Sequence, residues 1–142
     1  MSKYVMDKES ASDELQRWFD GWAMEFEEDD FSAEERKDFD AQIKNFTNAI
    51  MRGRLAYDID SKKIEYTLRC PIESDNPLTK VEIPMPKGTA LMEMDSYKDG
   101  QDMKKSFSIV GALVGKPISI IRKMDERDIM FILGINTLFL AS

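Results

Sequence analysis

Lys63-Ile-Glu-Tyr66-Thr-Leu-Arg-Cys70-Pro-Ile72 is the stretch on which the fold turns. Ile64, Tyr66, Leu68 and Cys70 alternate with polar neighbours, the period of two that turns one face of a strand toward a core and the other toward water. Upstream, Leu55, Tyr57 and Ile59 alternate in the same way, and Asp60-Ser-Lys62 between the two runs is a polar link of hairpin length. Pro71 closes the second run. Downstream, the loop Glu73-Ser-Asp-Asn-Pro77 leads to a third run around Val81-Glu-Ile83, where Pro84 and Pro86 mark an edge strand or the end of one. Three short strands joined by short links predict an antiparallel meander.

Before residue 53 the apolar period is helical. Leu15, Trp18, Phe19, Trp22 and Phe26 fall on one helical face, with Ser10 or Ser12 as the expected cap. Four carboxylates, Glu27 to Asp30, sit badly against the negative end of a helix and are expected to stop it. Ser32-Ala-Glu-Glu35 is a capping box, Phe39, Ile43, Phe46 and Ile50 continue the next apolar face, and Gly53 stands where that helix should end. The two helices predict a hairpin.

After Gly88 helices resume. Thr89 caps a short segment over Ala90 to Met94, and Asp99-Gly100 breaks the chain. Met103, Phe107, Val110 and Val114 mark a further helix stopped by Gly115, and Pro117 opens a short one holding Ile118 and Ile121. Asp125 caps the last helix, where Ile129, Ile132, Leu133, Ile135 and Phe139 are apolar on nearly all sides. Such a helix is either core or a docking surface. The expected fold is therefore α+β: an acidic helical hairpin over residues 1–53, then an α+β unit over 54–142 that joins the meander to a cluster of short helices.

Composition narrows the function. Of the 142 residues none is histidine, so the commonest general base and metal ligand are missing. No glycine-rich phosphate loop is present. Asp95-Ser-Tyr-Lys-Asp99-Gly100 resembles the start of a calcium loop, but Tyr97 and Ser106 stand where ligands belong. The lone Cys70 lacks an activating base and reads as a core thiol in a reducing compartment. No enzyme, metal or cofactor is expected.

The net charge of −7 is uneven: residues 1–60 hold 16 Asp and Glu against 8 Lys and Arg, and residues 61–142 hold 11 against 12. An acidic first half argues against ordinary nucleic-acid binding. Neither a membrane-length apolar run nor a secretory signal is seen, which points to the cytoplasm.

Two apolar faces carry the functional reading. Trp18, Phe19, Trp22 and Phe26 either pack on Phe39, Ile43 and Phe46 or form a partner-binding ridge, since tryptophan is enriched at interface hot spots. Ile129, Leu133 and Phe139 of the last helix are the second candidate face, and ten methionines suit adaptable surfaces. Association with a second copy of the chain stays open.

Residues 62–140 resemble the tail assembly chaperones of contractile-tailed temperate phages and their prophages. The residues that carry this are Tyr66-Thr-Leu-Arg-Cys-Pro71, Leu78-Thr-Lys-Val-Glu-Ile83, Pro86-Lys-Gly88-Thr-Ala-Leu91 with Met94-Asp95, and the closing Met124-Asp-Glu-Arg-Asp128 with Phe139-Leu140. The resemblance implies a non-enzymatic helper in the host bacterial cytoplasm. It would bind the tape-measure or tail-tube protein during virion assembly and then leave. The acidic hairpin that precedes the unit departs from the family pattern. The alternative is an acidic regulatory or DNA-mimic protein that occupies a basic surface through its first helices.

Overall fold

Helix α1 (Lys8–Gly21) starts on Asp7, whose carboxylate accepts the Ser10 N–H at 2.8 Å. The cap therefore lies upstream of both serines expected to provide it. An earlier start brings Ala11, which has no exposed surface, into the helix and its packing face. The helix also ends early. The Met24 N–H reaches the Phe19 carbonyl and the Ala23 N–H the Asp20 carbonyl, a Schellman turn that holds Ala23 at φ 53°. Glu27 to Asp30 thus play no part in stopping α1; residues 28–30 form a short 3-10 turn in the linker. Helix α2 (Ala33–Met51) begins on the expected box: Ser32 Oγ accepts the Glu35 N–H and Glu35 Oε1 accepts the Ser32 N–H. It closes with the same turn as α1, this time with Gly53 at φ 77°. The Val5 N–H bonds the Met51 carbonyl at 2.7 Å, so the two helices run antiparallel.

The computed structural model describes residues 4–87 and 102–142. Its sheet has the order β1 (Leu55–Asp58), β2 (Lys63–Ile72), β3 (Leu78–Ile83), antiparallel throughout. Leu55 lies opposite Tyr66, and Ile64 and Tyr66 lie opposite Ile83 and Val81, so one face gathers the buried side chains. On the other face Lys80 bridges to Glu65 and Lys63 to Glu82. Two expectations change here. Ile59 falls in the hairpin turn and is exposed, because Lys62 takes a left-handed conformation and shortens β1. Pro71 does not end β2: register breaks between Thr67 and Ile72, and in that break the strand tolerates a residue without an N–H.

Beyond the sheet come α3 (Asp102–Val114), α4 (Ile118–Ile121) and α5 (Glu126–Leu140). Gly115 at φ 68° ends α3, Pro117 precedes α4, and the Asp125 carboxylate caps α5 by accepting the Arg127 N–H. Helix α3 packs on β3 and α5, burying Ile109, Val110 and Leu113. The architecture is α+β, with two N-terminal helices, a three-stranded antiparallel meander and a C-terminal helix cluster. The segment expected at Ala90 to Met94 and the calcium-like loop Asp95 to Gly100 lie outside the described residues.

The core crosses the boundary expected at residue 53. Trp18 meets Phe46 edge to face at 5.3 Å, Phe46 meets Phe131 of α5 at 5.2 Å, and Phe131 stacks on Tyr66 of β2 at 4.5 Å. Trp22 meets Phe139 of α5 at 5.9 Å and donates its indole N–H to the Lys62 carbonyl in the β1–β2 turn. Gly21 completes this junction, since a Cβ there would run into the Tyr57 hydroxyl. Hairpin and sheet therefore share one core. Trp18→Ala is expected to cost about 3–5 kcal/mol in urea unfolding, with tryptophan fluorescence and far-UV circular dichroism tracing one coincident transition in the parent protein. Separate transitions would mean that the hairpin folds alone.

Candidate functional site: a groove between two helices

The residue that organises the neighbourhood is Asp128, in the first turn of α5, whose side chain has no exposed surface. Its Oδ1 accepts the Tyr66 hydroxyl at 2.7 Å and the Arg69 N–H at 2.9 Å, and Oδ2 accepts the Cys70 N–H at 3.3 Å. The reason lies in the sheet. The Thr67 N–H bonds the Arg54 carbonyl just before β1 begins. Two residues further along the same edge, the Arg69 N–H has no strand opposite it, and the carboxylate takes that place. Burying a charge is costly unless it is fully hydrogen-bonded, and three donors meet that condition.

Burial, and after it the bonded Asp128 carboxylate, push the Tyr66 hydroxyl well above its usual range, while the Arg54 and Arg69 guanidiniums pull it the other way. At the helix entrance, Arg127 donates from Nε to Asp125 Oδ1 at 2.9 Å and holds that carboxyl well below the usual carboxylate range. Cys70 is not a core thiol. It is half-buried, with Sγ 3.4 Å from Asp125 Oδ2 and 3.5 Å from Arg127 Nη2. The strand face that would have buried it bends away at the register break.

Helices α2 and α5 touch where Gly134 faces Gln42; an added Cβ would lie 3.2 Å from Gln42 Oε1 and 3.6 Å from Phe46 Cζ. On one side of this contact an open groove of about 600 Å³ has Phe31, Phe39, Ala41, Leu138 and Ala141 in its walls and Glu35 and Asp38 at its rim. On the other side a recess of about 520 Å³ lies beside the exposed Met130, with Arg69, Glu126 and Arg127 around it. The two share Gln42 and Asn45 and so run on into each other along α2.

The expected partner-binding residues do not form one exposed face. Trp18, Phe19, Trp22 and Ile129 are buried, and Phe26, Leu133 and Phe139 are half-buried against the core. The physical reason is α5. Two helices cannot cover two tryptophans, but Phe131 and Phe139 supply the third surface that the hairpin lacks. Phe26 leaves α1 and packs from the linker between Phe19 and Phe39. The α2–α5 contact beside the groove instead involves residues with a quieter signal. Ala41 on α2, Gly134 on α5 and Ala141 just past the end of α5 are small residues, and that pattern is the clue the sequence offered.

No family model matches the chain, and neither a curated protein nor a solved structure does. Among the described residues no helix is long and apolar enough to cross a membrane, and no group of three carboxylate or thiol side chains is placed to hold a metal ion.

Two outcomes follow from this geometry. Asp128→Ala leaves three donors without an acceptor and is expected to lower stability by about 2–4 kcal/mol, read from denaturant midpoints. Asp125 has a depressed folded-state pKa. Its stabilising contribution is therefore complete above the ordinary value of 3.8 and is lost as pH falls below it. Asp125→Asn keeps a capping side chain but loses the charge, so its stability deficit against the parent should shrink between about pH 5 and about pH 2. A constant deficit would show that the Arg127 pairing contributes nothing.

Proposed function

We propose that this protein is a non-catalytic assembly chaperone of the phage-tail kind, acting in the host cytoplasm, and that it shelters a helical segment of a tape-measure or tail-tube subunit in the groove between α2 and α5. The groove is the observation that carries the reading. Its floor is apolar, its rim is acidic, and it lies along two helices, the layout in which an amphipathic helix sets its apolar side down. The surrounding charge of −7 keeps such a complex dispersed.

Two segments that carry the family resemblance, Leu68-Arg-Cys-Pro71 and Asp125-Glu-Arg-Asp128, meet in space at the Asp128 carboxylate. That contact supports treating them as one structural unit.

A second reading draws on the linker. Glu27, Asp29 and Asp30 are exposed and make no ion pair among the described residues, whereas Glu28 is held by Arg36 at 2.7 Å. A basic partner surface could engage those three.

One experiment separates the readings. Ala41→Arg and Ala141→Arg place bulk and charge in the groove from exposed positions and should leave the melting temperature nearly unchanged. Under the chaperone reading these variants lose co-purification with the tape-measure or tube protein, by about tenfold or more in affinity, and reversal of Glu27, Asp29 and Asp30 to lysine changes little. If the reversal abolishes binding, with a steep salt dependence, and the groove variants still bind, the acidic-mimic reading stands instead.

A further inference from the structure

At the C-terminal end of α2, three arginines of this acidic chain line one small pocket. Arg52 follows the last turn of α2, Arg54 leads into β1 and Arg69 stands on β2; all three line a space of about 150 Å³. Asn45 and Asn48 line it as well, and Asn45, Asn48 and Arg52 are spaced to share one stripe of the helix. The stacked pair Tyr66 and Phe131 forms the remaining wall. No carboxylate lines this pocket, and none of the three guanidiniums makes an ion pair among the described residues.

We propose that this pocket binds the terminal phosphate of a small phosphate monoester. Two neighbours offset part of the positive charge. Asp128, buried behind Tyr66, contributes one negative charge, and the C-terminal end of α2 contributes roughly half of another. Three guanidiniums leave a surplus of about one and a half charges, and a phosphate monoester near neutral pH carries about −1.5 to −2. A carboxylate would leave part of the surplus unmet. Guanidinium forks match phosphate oxygens two at a time, and the asparagine amides add neutral donors. The pocket has room for one such group. The rest of the ligand extends into the adjoining recess, which shares Asn45, Arg69 and Phe131.

The site does not depend on the chaperone reading; a groove variant that loses its protein partner would leave it intact. The test uses the whole protein and inorganic phosphate, titrated at constant ionic strength while the backbone amide signals of Asn45, Asn48 and Arg69 are followed by NMR, with acetate as the comparison anion. The expected result is saturable shifts at those amides with phosphate and at least about tenfold weaker binding of acetate. Arg52 and Arg69 are exposed, so the double variant R52Q/R69Q should keep its fold and bind phosphate about tenfold or more weakly. Shifts that never saturate, acetate binding as tight as phosphate, or a folded double variant that titrates like the parent would each overturn the proposal.

Discussion

One buried carboxylate sets the geometry on which the rest relies. Asp128 joins the start of α5 to the stretch of β2 where the sheet loses register, and it does so with three hydrogen bonds in a site closed to water. An apolar residue of similar shape would leave the Arg69 and Cys70 N–H groups without acceptors, so sheet and helix depend on the same side chain. Because the contact is directional, α5 can cross β2 in only one register. A buried ionic group is weak support for stability as such, and its value here is this specificity.

The aromatic chain follows from that register. Once α5 is fixed, Phe131 lies flat on Tyr66 and presents its edge to Phe46, and Phe139 covers Trp22. The hairpin is therefore not an appendage. Its two tryptophans are the largest fully buried side chains of the described structure, and Trp22 is covered by Phe139 from the far end of the sequence. Acidic surface and shared core coexist because α1 and α2 turn their carboxylates outward and their rings inward. One cost remains visible. Trp18 Nε1 has no hydrogen-bond partner among the described residues, so packing area is favoured there over polar satisfaction.

Elements governed by local periodicity were legible in the sequence. The capping box at Ser32, the stop at Gly53, the alternating strands and the Asp125 cap all depend on residues close in the chain, and the structure has each of them. Features set by contacts across the chain were not. The end of α1 hinges on a left-handed Ala23, a conformation that no composition rule assigns to alanine. The extension of β2 through Pro71 depends on a carboxylate 57 positions further on, Asp128, which answers the strand's free N–H groups. The candidate site suffered most. Large aromatic residues drew the functional reading toward α1, and tertiary burial by α5 removed them from the surface. The groove itself sets Phe31, Phe39 and Leu138 beside Ala41 and Ala141, a grouping that no single stretch of sequence shows until two helices are known to face each other.

The charge layout argues for a surface whose two ends differ. Toward the start of α2 the open face is apolar with Glu35 and Asp38 at its edge; toward the other end of the helix it becomes a recess and then a pocket with three arginines. Residues 35 and 52 are about 25 Å apart along the helix axis at the usual rise, a distance at which surface charges are largely screened from each other at physiological salt. The two ends can therefore act independently. An apolar helix with basic flanks suits the first end, and a compact anion suits the second. What joins the two ends mechanically is the packing of α5 on α2, Gly134 against Gln42 and Phe131 against Phe46.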